Sequence, residues 1–148
     1  IARRLIDSQW IICATPAYLK QYGTPQTPEQ LQNHECLVYK FDNTANSTWP
    51  LYIDGKEQLI SVHGRFHSNH LSAIKQAALS DLGIAFLPQV LIYEEIQKNT
   101  LTQILQCFTS KKLGLYAVYP KARQPDQKLK LLVAHLRDSL HQKQAYYY

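Results

Sequence analysis

No apolar run in this sequence approaches the ~20 residues that a membrane-spanning helix needs, and the opening IARRLIDSQW lacks the long apolar core of a secretory signal. Membrane insertion and export are therefore not expected, and the cytoplasm is the expected compartment. Cysteine is scarce: Cys13, Cys36 and Cys107 are odd in number and form no CxxC pair, which points to reduced, buried thiols. There is no GxSxG elbow, P-loop or GxGxxG, and no Ser/His/Asp set spaced for a nucleophile, so neither an enzyme nor a nucleotide cofactor is indicated. Glu94 and Glu95 are adjacent and would face different directions on a helix, which excludes a paired acid and base. Internal repeats and low-complexity blocks are also missing.

The composition, 45% hydrophobic and 18% charged over 148 residues, is that of a globular chain large enough for one domain or two small lobes. The net charge is +5, but its lysines, among them Lys20, Lys40, Lys56, Lys75, Lys98, Lys128 and Lys143, are scattered. Scatter of this kind describes a solvated surface and not a nucleic-acid groove.

The most informative stretch is SNHLSAIKQAALSDLGIAFLP, residues 68–88. Ser68 and Asn69 favour the N-cap of a helix, and Leu71, Ile74, Ala78 and Leu79 recur on one helical face. Gly83 is expected as the left-handed residue closing that helix. Ile84-Ala85-Phe86-Leu87 then reads as a strand covered on both faces, and Pro88 as the first residue of the next helix. In open α/β sheets, ligands sit beyond strand ends, near helix N-termini that attract anions. Ser68, Asn69 and His70 are accordingly the first candidates for ligand contact.

Elsewhere, residues 10–14 read as a strand, and Thr15-Pro16 caps a two-turn helix ended by Gly23. Thr27 and Gln30 have capping-box spacing. Residues 36–39 form the next strand, and 42–47 a polar loop. Asp54-Gly55 joins residues 49–53 and 59–62 in a hairpin, placing one antiparallel pair beside an otherwise parallel arrangement. Residues 88–98 are helical with Asn99 as a left-handed cap, and 113–119 are the last strand. After a linker at 121–127, residues 128–142 form a helix with Leu129, Leu132, Val133, Leu136 and Leu140 on one face. Alternating strands and helices imply a parallel or mixed sheet with helices on its faces.

His63, His67 and His70 have HxxxHxxH spacing, which on one face would suit zinc or nickel, but Gly64 and the strand-to-helix transition argue against convergence. No metal is expected. Tyr39, Phe86, Tyr116 and Tyr119 read first as packing residues and second as the lining of an apolar pocket.

Taken in order, ARRL, ATPAYLKQYGTPQTPEQLQNHECLVY, SNHLSAIKQAALSDLGIAFLP, NTLTQIL and LYAVYP before an amphipathic helix resemble the effector-binding domain of LysR-type transcriptional regulators. The resemblance covers nearly the whole chain. It implies an α/β fold like that of type 2 periplasmic binding proteins, two Rossmann-like lobes joined by two crossing strands. Residues 1–14 would be a remnant of the first lobe with the first crossing, 15–113 a complete second lobe, and 114–148 the second crossing with the first lobe's C-terminal helix. A small-molecule effector would lie between the lobes, against Thr15, Pro16, Ser68, Asn69 and His70, with Tyr39, Phe86 and Leu87 nearby. The implied partners are that effector, further copies of the chain in a dimer or tetramer using residues 71–80, and DNA only through an N-terminal helix-turn-helix absent from these residues. The paired cysteines of peroxide-sensing relatives are not implied, because Cys36 and Cys107 are far apart in sequence. The alternative is a transport-type solute-binding protein of the same fold.

Overall fold

The computed structural model describes residues 1–40, 47–120 and 127–143. The expected loop at 42–47 apart from Ser47, the linker at 121–126 and the terminal tyrosines lie outside the described residues. The elements are β1 (Ala2–Ser8), β2 (Trp10–Ala14), α1 (Pro16–Tyr22), a 3-10 helix (Pro28–Asn33), β3 (Cys36–Tyr39), β4 (Ser47–Ile53), β5 (Lys56–Val62), β6 (His67–Ser68), α2 (Leu71–Leu79), β7 (Ile84–Pro88), α3 (Gln89–Gln97), β8 (Thr102–Ile104), β9 (Leu113–Val118) and α4 (Gln127–Gln142).

Five strands form one sheet in the order β6-β3-β7-β2-β8. β3 runs parallel to β6 and β7, whereas β2 is antiparallel to both β7 and β8. The sheet is therefore mixed, which corrects the expectation of a single antiparallel pair. Strand direction depends on which neighbour the chain reaches after each crossover, and local composition carries no record of that choice.

Alternation along the strands divides the core into two layers. Ile12, Ala14, Cys36, Val38, Ile84 and Phe86 face Tyr18 of α1, Leu31 of the 3-10 helix, and Trp49, Leu51 and Val62 of the β4–β5 hairpin. Ile11, Cys13, Leu37, Ala85 and Leu87 face Ile74, Ala77 and Ala78 of α2 and Ile92 of α3. Period-two side chains of the strands thus meet period-3.6 faces of the helices, with β7 covered on both sides as its apolar run requires. The Ile, Leu, Val and Phe side chains among them are worth about 1.5–3 kcal/mol each when fully buried. Lys75 Nζ ties α2 to α3 through Glu95 Oε1 at 2.6 Å and the Leu91 carbonyl at 3.0 Å.

The chain ends its helices in three ways. Thr15 caps α1, its hydroxyl oxygen accepting from the Tyr18 amide at 3.2 Å, and Gly23 follows at φ 88°. After α2 the left-handed residue is Asp81, at φ 60°, with the Asp81 and Leu82 amides bonded to the Ala78 and Ala77 carbonyls. Gly83 is not left-handed. A Cβ there would stand 2.4 Å from the Glu35 carbonyl oxygen, so close backbone approach between neighbouring strands requires the glycine. Asn99, at φ 56°, closes α3 as expected, and Asp54 and Gly55 both take positive φ in the hairpin.

Two other caps differ from expectation. Thr27 makes no side-chain cap bond, and Gln30 Oε1 instead accepts from the Gln26 amide at 2.7 Å, so the segment is a 3-10 helix without the box. Pro88 ends β7 and stands at the N-cap of α3, one position earlier than expected.

β1 and β9 form a separate two-stranded antiparallel sheet, against which α4 packs through β1. A register shift between Arg4 and Ile6 marks a bulge, and both Leu5 and Ile6 are buried although they are consecutive. No residue of α4 is buried.

Candidate functional site

Register places the candidate residues. β3 and β6 pair Tyr39 with Ser68, and the Lys40 amide donates to the Ser68 carbonyl at 3.0 Å. β7 runs parallel to β3, so Leu87 and Pro88 end on the same side. Trp10 opens the antiparallel β2 opposite Pro88. Tyr39, Ser68, Pro88 and Trp10 therefore share one end of the sheet, and the residues at 68–70 lead from it directly into α2.

The polar groups there sit at the strand-to-helix passage. Ser68 is half-buried and its Oγ accepts from the His70 amide at 3.1 Å, which leaves its hydroxyl hydrogen free to point elsewhere. Asn69 and His70 are exposed. The N-cap of α2 is His70 and not Ser68 or Asn69, and its side chain makes no capping bond. Ser68 is held in β6 and Asn69 bridges strand to helix, so neither has the position a cap needs. The first turn of α2 carries no acidic residue, so the positive end of the helix dipole is not met by a carboxylate of its own.

Aromatic rings back this corner. Trp10 lies 5.9 Å from Tyr39 and 5.4 Å from Phe86, and Phe86 stacks on Trp49 at 5.4 Å. Phe86 is nearly closed off and Leu87 is wholly buried on the α2–α3 side, so both act as packing behind the corner, not as contact surface. Trp10 was legible only as a strand residue. Its pairing with the strand-ending Pro88 brings it to the site, and that pairing is non-local.

Thr15 and Pro16 do not join this group. They follow Ala14 at the opposite end of β2, about 16 Å from Trp10 at roughly 3.3 Å per residue. The Thr15 hydroxyl donates to Asp81, at the far end of α2. One small ligand cannot touch both sets, which corrects the single-site grouping. At that far end Tyr18, His34, Glu35, Arg65 and Asp81 line a cavity of about 450 Å³. The Tyr18 hydroxyl accepts from the Glu35 amide and meets His34 Nδ1, each at 3.2 Å. Burial pushes the His34 pKa down, which favours the neutral ring. Arg65 is paired with Glu35 at 3.4 Å, so this cavity carries both signs of charge.

The histidines do not gather around a metal. His67 Nε2 donates to the Gly64 carbonyl at 2.8 Å, and among the described residues no cluster of three or more His, Cys, Asp or Glu is placed to hold one. Cys13 and Cys36 are buried, and burial pushes both thiols up to about 12, with the charges of Glu95 and Glu35 adding to the effect. Cys107 is exposed. Among the described residues no helix is long and apolar enough to cross a membrane.

Comparison with known proteins finds the same architecture. The model of the LysR substrate binding domain family matches residues 1–141. The chain is 27% identical over 139 residues to the probable HTH-type transcriptional regulator LtrA of Klebsiella pneumoniae, covering 92% of this chain and 45% of that protein. It is 31% identical over 140 residues to the HTH-type transcriptional regulator CrgA of Neisseria meningitidis, covering 94% and 46%. The solved regulatory domain of CrgA superposes with a TM-score of 0.80 at 29% identity, over 95% of this chain and 68% of that one. The chain thus spans about half the length of these curated relatives. The fold is the type 2 periplasmic-binding-protein-like α/β fold.

Proposed function

Because the chain belongs to the LysR substrate-binding domain family, we propose that it is the effector-sensing part of a bacterial transcriptional regulator and binds a small anionic ligand at the sheet end where Tyr39, Ser68, Asn69 and His70 meet. The family match across residues 1–141 carries this reading. The geometry supports the siting: parallel strands end beside an uncapped helix N-terminus that lacks its own carboxylate. The relatives are named as transcriptional regulators, which favours sensing over catalysis and over solute transport.

In this reading residues 15–113 form one lobe, whose sheet takes its inner strand from β2. Residues 1–14 and 114–148 supply the crossing strands and part of the other lobe. The ligand lies between the lobes, and their closure repositions DNA-binding heads carried by the N-terminal part of a longer, cytoplasmic, dimeric or tetrameric regulator. Sensing is then a coupling free energy between two distant sites. The outer face of α2, with Ser72 and Gln76 exposed, is the surface for side-by-side association.

Calorimetric titration with malonate, succinate and salicylate tests the reading. At least one acid should bind the intact chain and bind Asn69→Ala about tenfold more weakly, as expected for losing a hydrogen bond to a charged group. Equal binding to both proteins would remove Asn69 from the site, and no binding by any acid would remove the anionic ligand.

A further inference from the structure

Ser110 fills a place that the sheet leaves open. β8 pairs with β2 only from Thr102 to Ile104, opposite Ala14 to Ile12, so the ladder stops short of Trp10 at the start of β2. The chain turns away at Leu105, whose φ is 50°, with the Phe108 amide donating to the Leu105 carbonyl at 2.8 Å, and it comes back at Ser110. There the Trp10 amide donates to Ser110 Oγ at 2.7 Å, and the Ser110 amide donates to the Trp10 carbonyl at 3.2 Å. The Ser110 hydroxyl in turn donates to the Lys111 carbonyl at 2.9 Å. This buried hydroxyl therefore has both its donor and its acceptor role fixed, and it stands in for the missing β8 partner of Trp10.

The ring of Trp10 packs against Tyr39 and Phe86 at the sheet-end corner. Its indole N–H makes no hydrogen bond among the described residues. The one sealed side-chain N or O without a partner among those residues is Ser8 Oγ, so the indole donor is open. An indole nitrogen donates and cannot accept, which suits the oxygen of an acid. On the reading that an acid binds at the sheet end, we propose that Ser110 is a positioning residue for that site: its hydroxyl fixes the Trp10 backbone so that the indole N–H is presented to the ligand. Without the hydroxyl the Trp10 amide loses its acceptor.

NMR of the isotope-labelled full chain, free and titrated with malonate, tests this. In free Ser110→Ala the contacts between the Trp10 indole and the Tyr39 ring should weaken, while Trp49 keeps its contact with Phe86, which separates a local displacement from general loosening. Malonate should bind Ser110→Ala about fivefold more weakly, the equivalent of one hydrogen bond. Ser110→Thr, which keeps the hydroxyl, should restore both. Trp10→Phe, which keeps a ring and lacks the donor, should lose the same affinity with Ser110 intact. Unchanged Trp10–Tyr39 contacts in Ser110→Ala would overturn the proposal, as would intact malonate affinity in Ser110→Ala or in Trp10→Phe. If the intact chain took no malonate, the sheet-end site would fall, and the ring contacts of the free proteins would still decide whether Ser110 places Trp10.

Discussion

The Thr15 hydroxyl donates a hydrogen bond to the Asp81 carboxylate, joining the start of α1 to the end of α2 at the sheet end remote from Ser68. The same oxygen accepts from the Tyr18 amide, so this side chain serves the fold twice.

Replacing Thr15 by Ala removes both bonds. A stability loss of about 0.5–2 kcal/mol is expected from the cap, read as a lower urea midpoint at unchanged slope. Malonate affinity should stay at its intact value. A weaker affinity in a folded Thr15→Ala chain would return Thr15 to the ligand site.

Two of the three thiols should be inert. Cys13 and Cys36 are buried with pKa values pushed up to about 12, whereas Cys107 is exposed. A thiol reagent at pH 8 is expected to modify one cysteine in the native chain and all of them in denaturant. The raised values also set a pH dependence. Below the ordinary value of 9.0 both thiols keep their protons whether the chain is folded or not. Above it the unfolded chain releases protons that the folded chain retains until about 12. Stability should therefore fall with rising pH across that window, by roughly 1.4 kcal/mol per unit for each thiol. A flat profile between pH 9 and 11 would show that the thiols are not sealed.

Apolar exposure is concentrated on the β1–β9 and α4 part of the molecule. Leu131, Leu132 and Val118 are 65%, 53% and 78% exposed, while Ile74 and Leu87 of the five-stranded lobe are fully buried. Ile74→Ala should cost about 2–5 kcal/mol. Leu131→Lys should stay within about 0.5 kcal/mol and raise solubility. Amides of α4 should exchange with solvent well before those of β2 and β7. Strong protection throughout α4 in a monomer would mean that this helix is covered.

Local signals were legible in the sequence and non-local ones were not. Asp54-Gly55, Asn99 and the Thr15 cap were readable because each is decided within a few residues by backbone chemistry. The two-faced burial of residues 84–87 was readable from their unbroken apolar run. Strand direction was not, since β2 and β3 are consecutive in sequence yet separated in the sheet by β7. Gly83 looked like a helix terminator because glycine tolerates positive φ, but Asp81 takes that role and the Glu35 carbonyl decides the glycine. Pro16 and Ser68 both lie at strand-to-helix passages, and only the antiparallel course of β2 reveals that they sit at opposite ends. The sheet-end corner was half legible: Ser68, Asn69 and His70 follow from the strand-to-helix pattern, whereas Trp10 reaches it through a partner 78 residues away, Pro88.

Residue-by-residue NMR titration of the intact chain with malonate tests most directly whether an anion sits at the Ser68 end of the sheet. The largest shifts are expected at the amides of residues 68–73, with smaller ones at Tyr39, Lys40 and the Trp10 indole, and none at residues 15–18. Largest shifts at residues 15–18, or an unmoved α2 N-terminus at saturating malonate, would contradict it.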